Sequence, residues 1–89
     1  MRLHVVIRGR VQGVGFRWFV REAARKLDVA GWVRNQRDGS VEVAADATRE
    51  TLDAFRRMLS EGPPGATVLT VDEVETGDEI LERPFTIVK

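Results

Sequence analysis

The 89-residue sequence contains no cysteine. That excludes disulfides, zinc–thiolate sites and cysteine nucleophiles, and it fits a reducing compartment. No run approaches the roughly 18 apolar residues of a membrane span. The N-terminus has no long apolar core ahead of a small-residue cleavage site, so no secretory signal is expected. Net charge is missing too, because 14 Lys and Arg residues balance 14 Asp and Glu. A neutral domain has no bulk field to draw nucleic acid. A cytoplasmic protein that engages neither nucleic acid nor membrane is therefore expected. Histidine occurs once, at His4, and asparagine once, at Asn35.

What is present describes one domain, residues 1–89. An apolar fraction of 43% and a charged fraction of 31% are those of an ordinary globular chain and argue against disorder. A chain this short buries roughly 60–65% of its unfolded surface, enough for one modest core. Charge is unevenly spread. Arg8, Arg10, Arg17, Arg21, Arg34 and Arg37 lie in the first half, and Asp72, Glu73, Glu75, Asp78, Glu79 and Glu82 in the last third. Most of these arginines read as solvated surface.

Gly9-Arg10-Val11-Gln12-Gly13-Val14-Gly15-Phe16-Arg17 is the stretch that the rest is arranged around. Before it, Arg2–Arg8 alternates as a strand, with Leu3, Val5 and Ile7 on one face. After it, Phe16, Phe19, Val20, Ala23, Ala24 and Leu27 repeat at helical spacing. The stretch thus joins a strand to a helix. Its glycines allow a tight turn that shows backbone N–H groups, and a helix start adds unpaired N–H groups and partial positive charge. Arg10 and Arg17 flank the turn. This is the make-up of a small anion site, most simply a phosphate cradle.

The remaining order follows from periodicity and turn signals. Asp28 stands where a left-handed helix end is expected. Ala30–Gln36 and Ser40–Ala45 read as strands of an antiparallel hairpin, joined at Arg37-Asp38-Gly39 by a type I′ turn. Asp46 or Thr48 can cap a second helix carrying Leu52, Phe55, Met58 and Leu59, which Gly62-Pro63-Pro64-Gly65 stops. Val68–Val74 is a fourth strand, residues 75–83 a surface loop, and Phe85–Ile87 a short last strand behind Pro84. The economical architecture is an α+β two-layer sandwich with both helices on one face of the sheet. Fold alone assigns no function.

Two nucleotide motifs are absent. The glycines do not make Gly-x-Gly-x-x-Gly, and there is no Gly-Lys-Ser/Thr. A small phosphate group suits the loop better than a whole nucleotide. Arg17 can grip a phosphoryl group through two parallel hydrogen bonds, or it can be a surface arginine on an exposed helix face. Asn35, at a strand end, can hold a water in line with phosphorus, or it can be structural beside a turn. The residues by themselves leave both pairs of readings open. His4 has no evident partner nearby and reads as a plain residue on the weaker face of its strand.

The Gly9–Arg17 stretch resembles the first signature of the acylphosphatase family. Gly31-Trp32-Val33-Arg34-Asn35, followed by Asp38-Gly39-Ser40-Val41-Glu42, resembles its second. The resemblance runs end to end, through Gly62-Pro63-Pro64-Gly65 and Phe85-Thr86-Ile87. It implies a ferredoxin-like β-α-β-β-α-β fold with a mixed or antiparallel sheet, and hydrolysis of acyl phosphates to carboxylate and phosphate. It implies that Arg17 is the phosphate-binding catalytic arginine and Asn35 the water-orienting asparagine. The backbone of Arg10, Val11, Gln12, Gly13, Val14 and Gly15 would be the phosphate cradle. No metal or cofactor is implied, the partners would be the small acyl phosphate and phosphate or sulfate as product or inhibitor, and a monomer is expected.

The sequence departs from the family pattern at Asp28, at Trp18, whose ring can line the mouth of the pocket but is expected rather to pack, and at Lys89. A non-enzymatic anion-binding regulatory module on the same fold is the alternative, and the presence of both Arg17 and Asn35 favours the enzyme. An RNA-recognition module would need exposed aromatics on the first and third strands, which have none.

Overall fold

A computed structural model describes residues 1–89. The elements run β1 (Arg2–Arg10), α1 (Phe16–Lys26), β2 (Ala30–Asn35), β3 (Val41–Asp46), α2 (Arg49–Glu61), β4 (Thr67–Glu73) and β5 (Thr86–Ile87). The strands form one five-stranded sheet in the order β4-β1-β3-β2-β5. β1 pairs antiparallel with β3 and β4, β2 antiparallel with β3, and β5 parallel with β2. The expected α+β ferredoxin-like sandwich is thus observed, with a mixed sheet.

One face of the sheet supplies Leu3, Val5, Ile7, Val33, Val41, Val43 and Ala45 to a single core. Phe16, Val20 and Ala24 from α1, and Leu52, Phe55 and Leu59 from α2, complete it from the helix side. Both helices therefore lie on the same face. Phe85, fully buried, meets Phe55 edge-on at 6.0 Å and closes the core beside β5. Each such buried aromatic or branched side chain contributes roughly 1.5–3 kcal/mol by leaving water.

Several boundaries move. β1 continues two residues past Arg8, because β4 pairs with it as far as Arg10 across an irregularity between Arg8 and Gly9. The hairpin turn is not type I′. That type needs positive φ at both central residues, and here Gly39 has φ 92° while Asp38 does not. The Asp38 carboxylate accepts hydrogen bonds from the Ser40 N–H at 2.9 Å and from the Ser40 hydroxyl, which holds the turn in its three-residue form. Those bonds also hold the Asp38 carboxyl below its ordinary range. Asp28 does adopt the left-handed conformation, with φ 59°, and Thr48 is the cap of α2.

His4 is not the plain residue expected. On the sheet face away from the helices, its Nε2 lies 2.6 Å from Glu42 Oε2. Arg34 Nε donates to Glu42 Oε1 at 2.6 Å, and Gln36 donates to the same oxygen at 3.2 Å. The partner was hidden because it lies 38 residues away, across the β1–β3 pairing. The segment after β4 straps this face, with Arg2 donating to the Gly77 carbonyl at 3.2 Å and the Trp32 indole to Glu79 at 3.1 Å.

Candidate active site

The loop between β1 and α1 is held at both ends by core residues. Val11 and Phe16 are each 1% exposed. Between them Gly13 and Gly15 both have φ 76°, a left-handed conformation that other residues adopt at a cost. Gly15 is the N-cap of α1 and offers no side chain to its amides. The first helical hydrogen bond runs from the Phe19 N–H to the Gly15 carbonyl, at 3.0 Å. From Val11 through Trp18 no backbone N–H donates to any acceptor of the chain. A continuous run of free donors, ending at the positive end of a helix, has the make-up to hold an anion.

Arg17 stands in the first turn of α1 with its side chain exposed and without a carboxylate or carbonyl partner. Four other arginines are held by carboxylates, Arg8 by Asp72, Arg34 by Glu42, Arg56 by Glu73 and Arg83 by Asp28. No acidic residue stands in the first turn of α1 to neutralise Arg17 or the helix end.

Asn35 reaches the same place from the sheet. On β2 it shares a face with Val33, two residues before it and fully buried in the core. Alternation therefore aims Asn35 toward the helix layer, at the strand end. Its Oδ1 is buried and accepts no hydrogen bond within the chain. Such an orphan acceptor costs about 1–3 kcal/mol unless something donates to it.

Arg17 and Asn35 line one cavity of about 270 Å³, together with Val11, Gly13, Gly15, Phe16, Trp18 and Ile87. That lies just under the roughly 300–1,000 Å³ typical of drug-sized ligands and suits a small metabolite. No carboxylate and no histidine is among the lining residues, so no side chain there is a general base. A roomier cavity, of about 400 Å³, lies by Arg25, Asp28 and Arg83, but its charges are paired with one another or with backbone. No group of three or more His, Asp or Glu side chains is placed to hold a metal ion.

Of the residues expected in the cradle, Val11, Gly13 and Gly15 line the cavity, whereas Arg10, Gln12 and Val14 do not. Arg10 ends β1, paired with Thr67. Gln12 turns its side chain across to the β2–β3 hairpin. Its Nε2 donates to the Gln36 carbonyl at 2.7 Å and to the Ser40 carbonyl at 2.9 Å. It thereby ties the loop to the strand end that carries Asn35, a role the sequence did not suggest. Trp18 does not pack as expected and takes the other role open to it. It is 57% exposed, outside the core, and on the cavity wall. Ile87 is there because parallel pairing sets it against Val33.

Comparison with known proteins bears on the family and the fold. The family model described as acylphosphatase matches residues 3–87. An acylphosphatase of Salinibacter ruber is 52% identical over 71 residues, 80% of this chain and 75% of that protein. The crystal structure of acylphosphatase from Bacillus subtilis superposes with a TM-score of 0.85 at 37% identity, covering 99% of this chain and 98% of that one. The crystal structure of Thermococcus kodakarensis HypF matches with a TM-score of 0.86 at 30% identity, covering 99% of this chain and 12% of that one.

Proposed function

The chain belongs to the acylphosphatase family, and from that membership we propose how its cavity hydrolyses an acyl phosphate. The phosphoryl oxygens take the free N–H groups of the 11–18 stretch and the Arg17 guanidinium. Water attacks phosphorus, a new P–O bond forms, and the bond from phosphorus to the acyl oxygen breaks. A carboxylate leaves with its electron pair. The conjugate acid of that leaving group has a pKa of about 4–5, so departure needs no protonation. Catalysis is then chiefly positioning and electrostatic stabilisation of the phosphoryl oxygens.

The buried, unpartnered Oδ1 of Asn35 carries this reading. A water that donates one hydrogen to Oδ1 has its lone pair set by that bond, and the donors nearby fix the phosphorus. An anion-binding regulatory module would use the N–H groups and Arg17 but has no use for a buried acceptor beside them. Since no base lines the cavity, the water proton passes to an oxygen of the phosphoryl group itself. The products are carboxylate and inorganic phosphate.

Asn35→Ala tests the assignment with benzoyl phosphate as substrate and inorganic phosphate as competitive inhibitor. It is expected to lower kcat by about 10²–10³ while the inhibition constant for phosphate stays within about threefold. Equal losses in both would make Asn35 a phosphate contact or a structural residue instead.

A further inference from the structure

Phosphate recognition accounts for the polar half of the cavity and leaves the apolar half unexplained. Of its hydrophobic lining, Val11 and Phe16 are core residues, each 1% exposed. Trp18 and Ile87 are different, at 57% and 37% exposed. Trp18 contributes nothing to the core, and its indole N–H donates to no group of the chain. Its ring is nevertheless held. The Arg21 guanidinium lies 5.7 Å from the ring centroid, and Arg21 Nε is itself bonded to Glu22 at 3.1 Å. A cation over an indole face restrains the ring where an isolated surface tryptophan would turn freely. The indole also follows directly on Arg17, the residue that grips phosphate in the reaction above. An acyl group bonded to a phosphoryl group seated there must lie along the cavity wall within a few ångströms of phosphorus.

We propose that Trp18 is the acyl-selecting residue of this enzyme, a flat platform that favours acyl phosphates with aromatic or broad apolar acyl groups over short aliphatic ones. This rests on the assignment of the cavity as the acyl phosphate site. The physical basis is area and shape. A planar acyl group covers the exposed indole and removes apolar surface from water on both partners, whereas an acetyl group is too small to cover it. The Trp18 side chain takes no part in the chemical step, whatever its backbone N–H does, so the contribution of the ring is to discrimination.

The test compares benzoyl phosphate with acetyl phosphate in the wild type, Trp18→Ala and Trp18→Phe. The kcat/KM ratio of benzoyl to acetyl is expected to fall about five- to tenfold in Trp18→Ala, the value of one aromatic contact, and to recover largely in Trp18→Phe. An unchanged ratio, or a wild type with no preference for the benzoyl substrate, overturns the proposal. Binding of the non-hydrolysable phenacylphosphonate and acetonylphosphonate, followed by calorimetry, separates the proposal from the reading it rests on. If the wild type hydrolysed neither acyl phosphate, the hydrolytic reading would fail. The phenacyl preference and its loss in Trp18→Ala would still support the platform, and absence of that preference would overturn it. Because the side chain is exposed and outside the core, thermal unfolding of Trp18→Ala is expected to match the wild type.

Discussion

The two helices begin in opposite ways. At α2, Thr48 sits in an extended conformation, its hydroxyl accepts the Thr51 N–H at 3.2 Å, and Glu50 faces the positive helix end. At α1, Gly15 provides no side chain, no acid stands in the first turn, and the N–H groups before Phe19 have no acceptor. The chain closes one helix start with its own atoms and leaves the other for something else. The two faces of the sheet repeat the contrast. On the open face, Glu42 is held by His4, Arg34 and Gln36. On the helix side, Arg17 and the Asn35 Oδ1 have no partner. The polar groups of the open face are paired with one another, and those proposed to act on substrate are left unpaired.

The largest expected effect comes from spoiling the open helix start. Arg17→Lys should lower kcat/KM for benzoyl phosphate by about 10³, since a point charge cannot reproduce a two-pronged grip, while the melting temperature stays within a degree or two. Activity within tenfold of the wild type would place the phosphate elsewhere. Next comes the tie between the halves of the site. Gln12→Ala should reduce kcat by about 10–100-fold, as misplacement of a reacting group by an ångström does. The inhibition constant for phosphate, set by the loop and Arg17, should move far less.

Smaller effects belong to the paired regions and should appear in stability alone. Glu42→Gln is expected to cost about 2 kcal/mol at neutral pH, by loss of charge-assisted hydrogen bonds, with kcat unchanged. Burial works against the Glu42 charge, but hydrogen bonds from His4 and Arg34 outweigh it and hold the carboxyl below the ordinary glutamate value of 4.5. A carboxyl so depressed contributes stability that is present above its unfolded pKa and is lost as pH falls through its folded one. The wild type should therefore lose its advantage over the variant as pH drops below 4.5, in urea unfolding followed by circular dichroism. An advantage that grew in acid would reverse the assignment. The smallest effect is at the closed helix start, where Thr48→Ala should cost about 1 kcal/mol of stability and leave kcat as it is. A kcat that fell with it would join the two helix starts that the structure keeps apart.

Sequence periodicity carried most of the fold, because Leu3, Val5, Ile7, Phe16, Val20, Phe55 and Leu59 repeat with the period of the element they occupy and bury the face that results. Gly13 and Gly15 were legible as an anion loop for a local reason, since a turn and a helix start lie within a few residues. Arg17 and Asn35 were each left between two readings by the residues alone, and only the family resemblance chose between them; that Asn35 shares the face of Val33 emerges from the folded strand. The rest depended on distant register. Gln12 meets Gln36 and Ser40 only once the hairpin has folded beside the loop, and His4 meets Glu42 only once β1 and β3 align. The hairpin turn was misread because Asp-Gly also suits a three-residue loop, and the Ser40 contacts to Asp38 decide between them. For Trp18 the less favoured of two readings holds, because a helix turns about 100° per residue and carries it away from the buried face of Phe16.

Because Gln12 Nε2 is shared between the carbonyls of Gln36 and Ser40, the strand end proposed to place the water is tied directly to the loop proposed to place the phosphorus. Nucleophile and electrophile then meet at an effective concentration fixed when the chain folds, which in well-oriented intramolecular reactions reaches about 10⁵–10⁸ M.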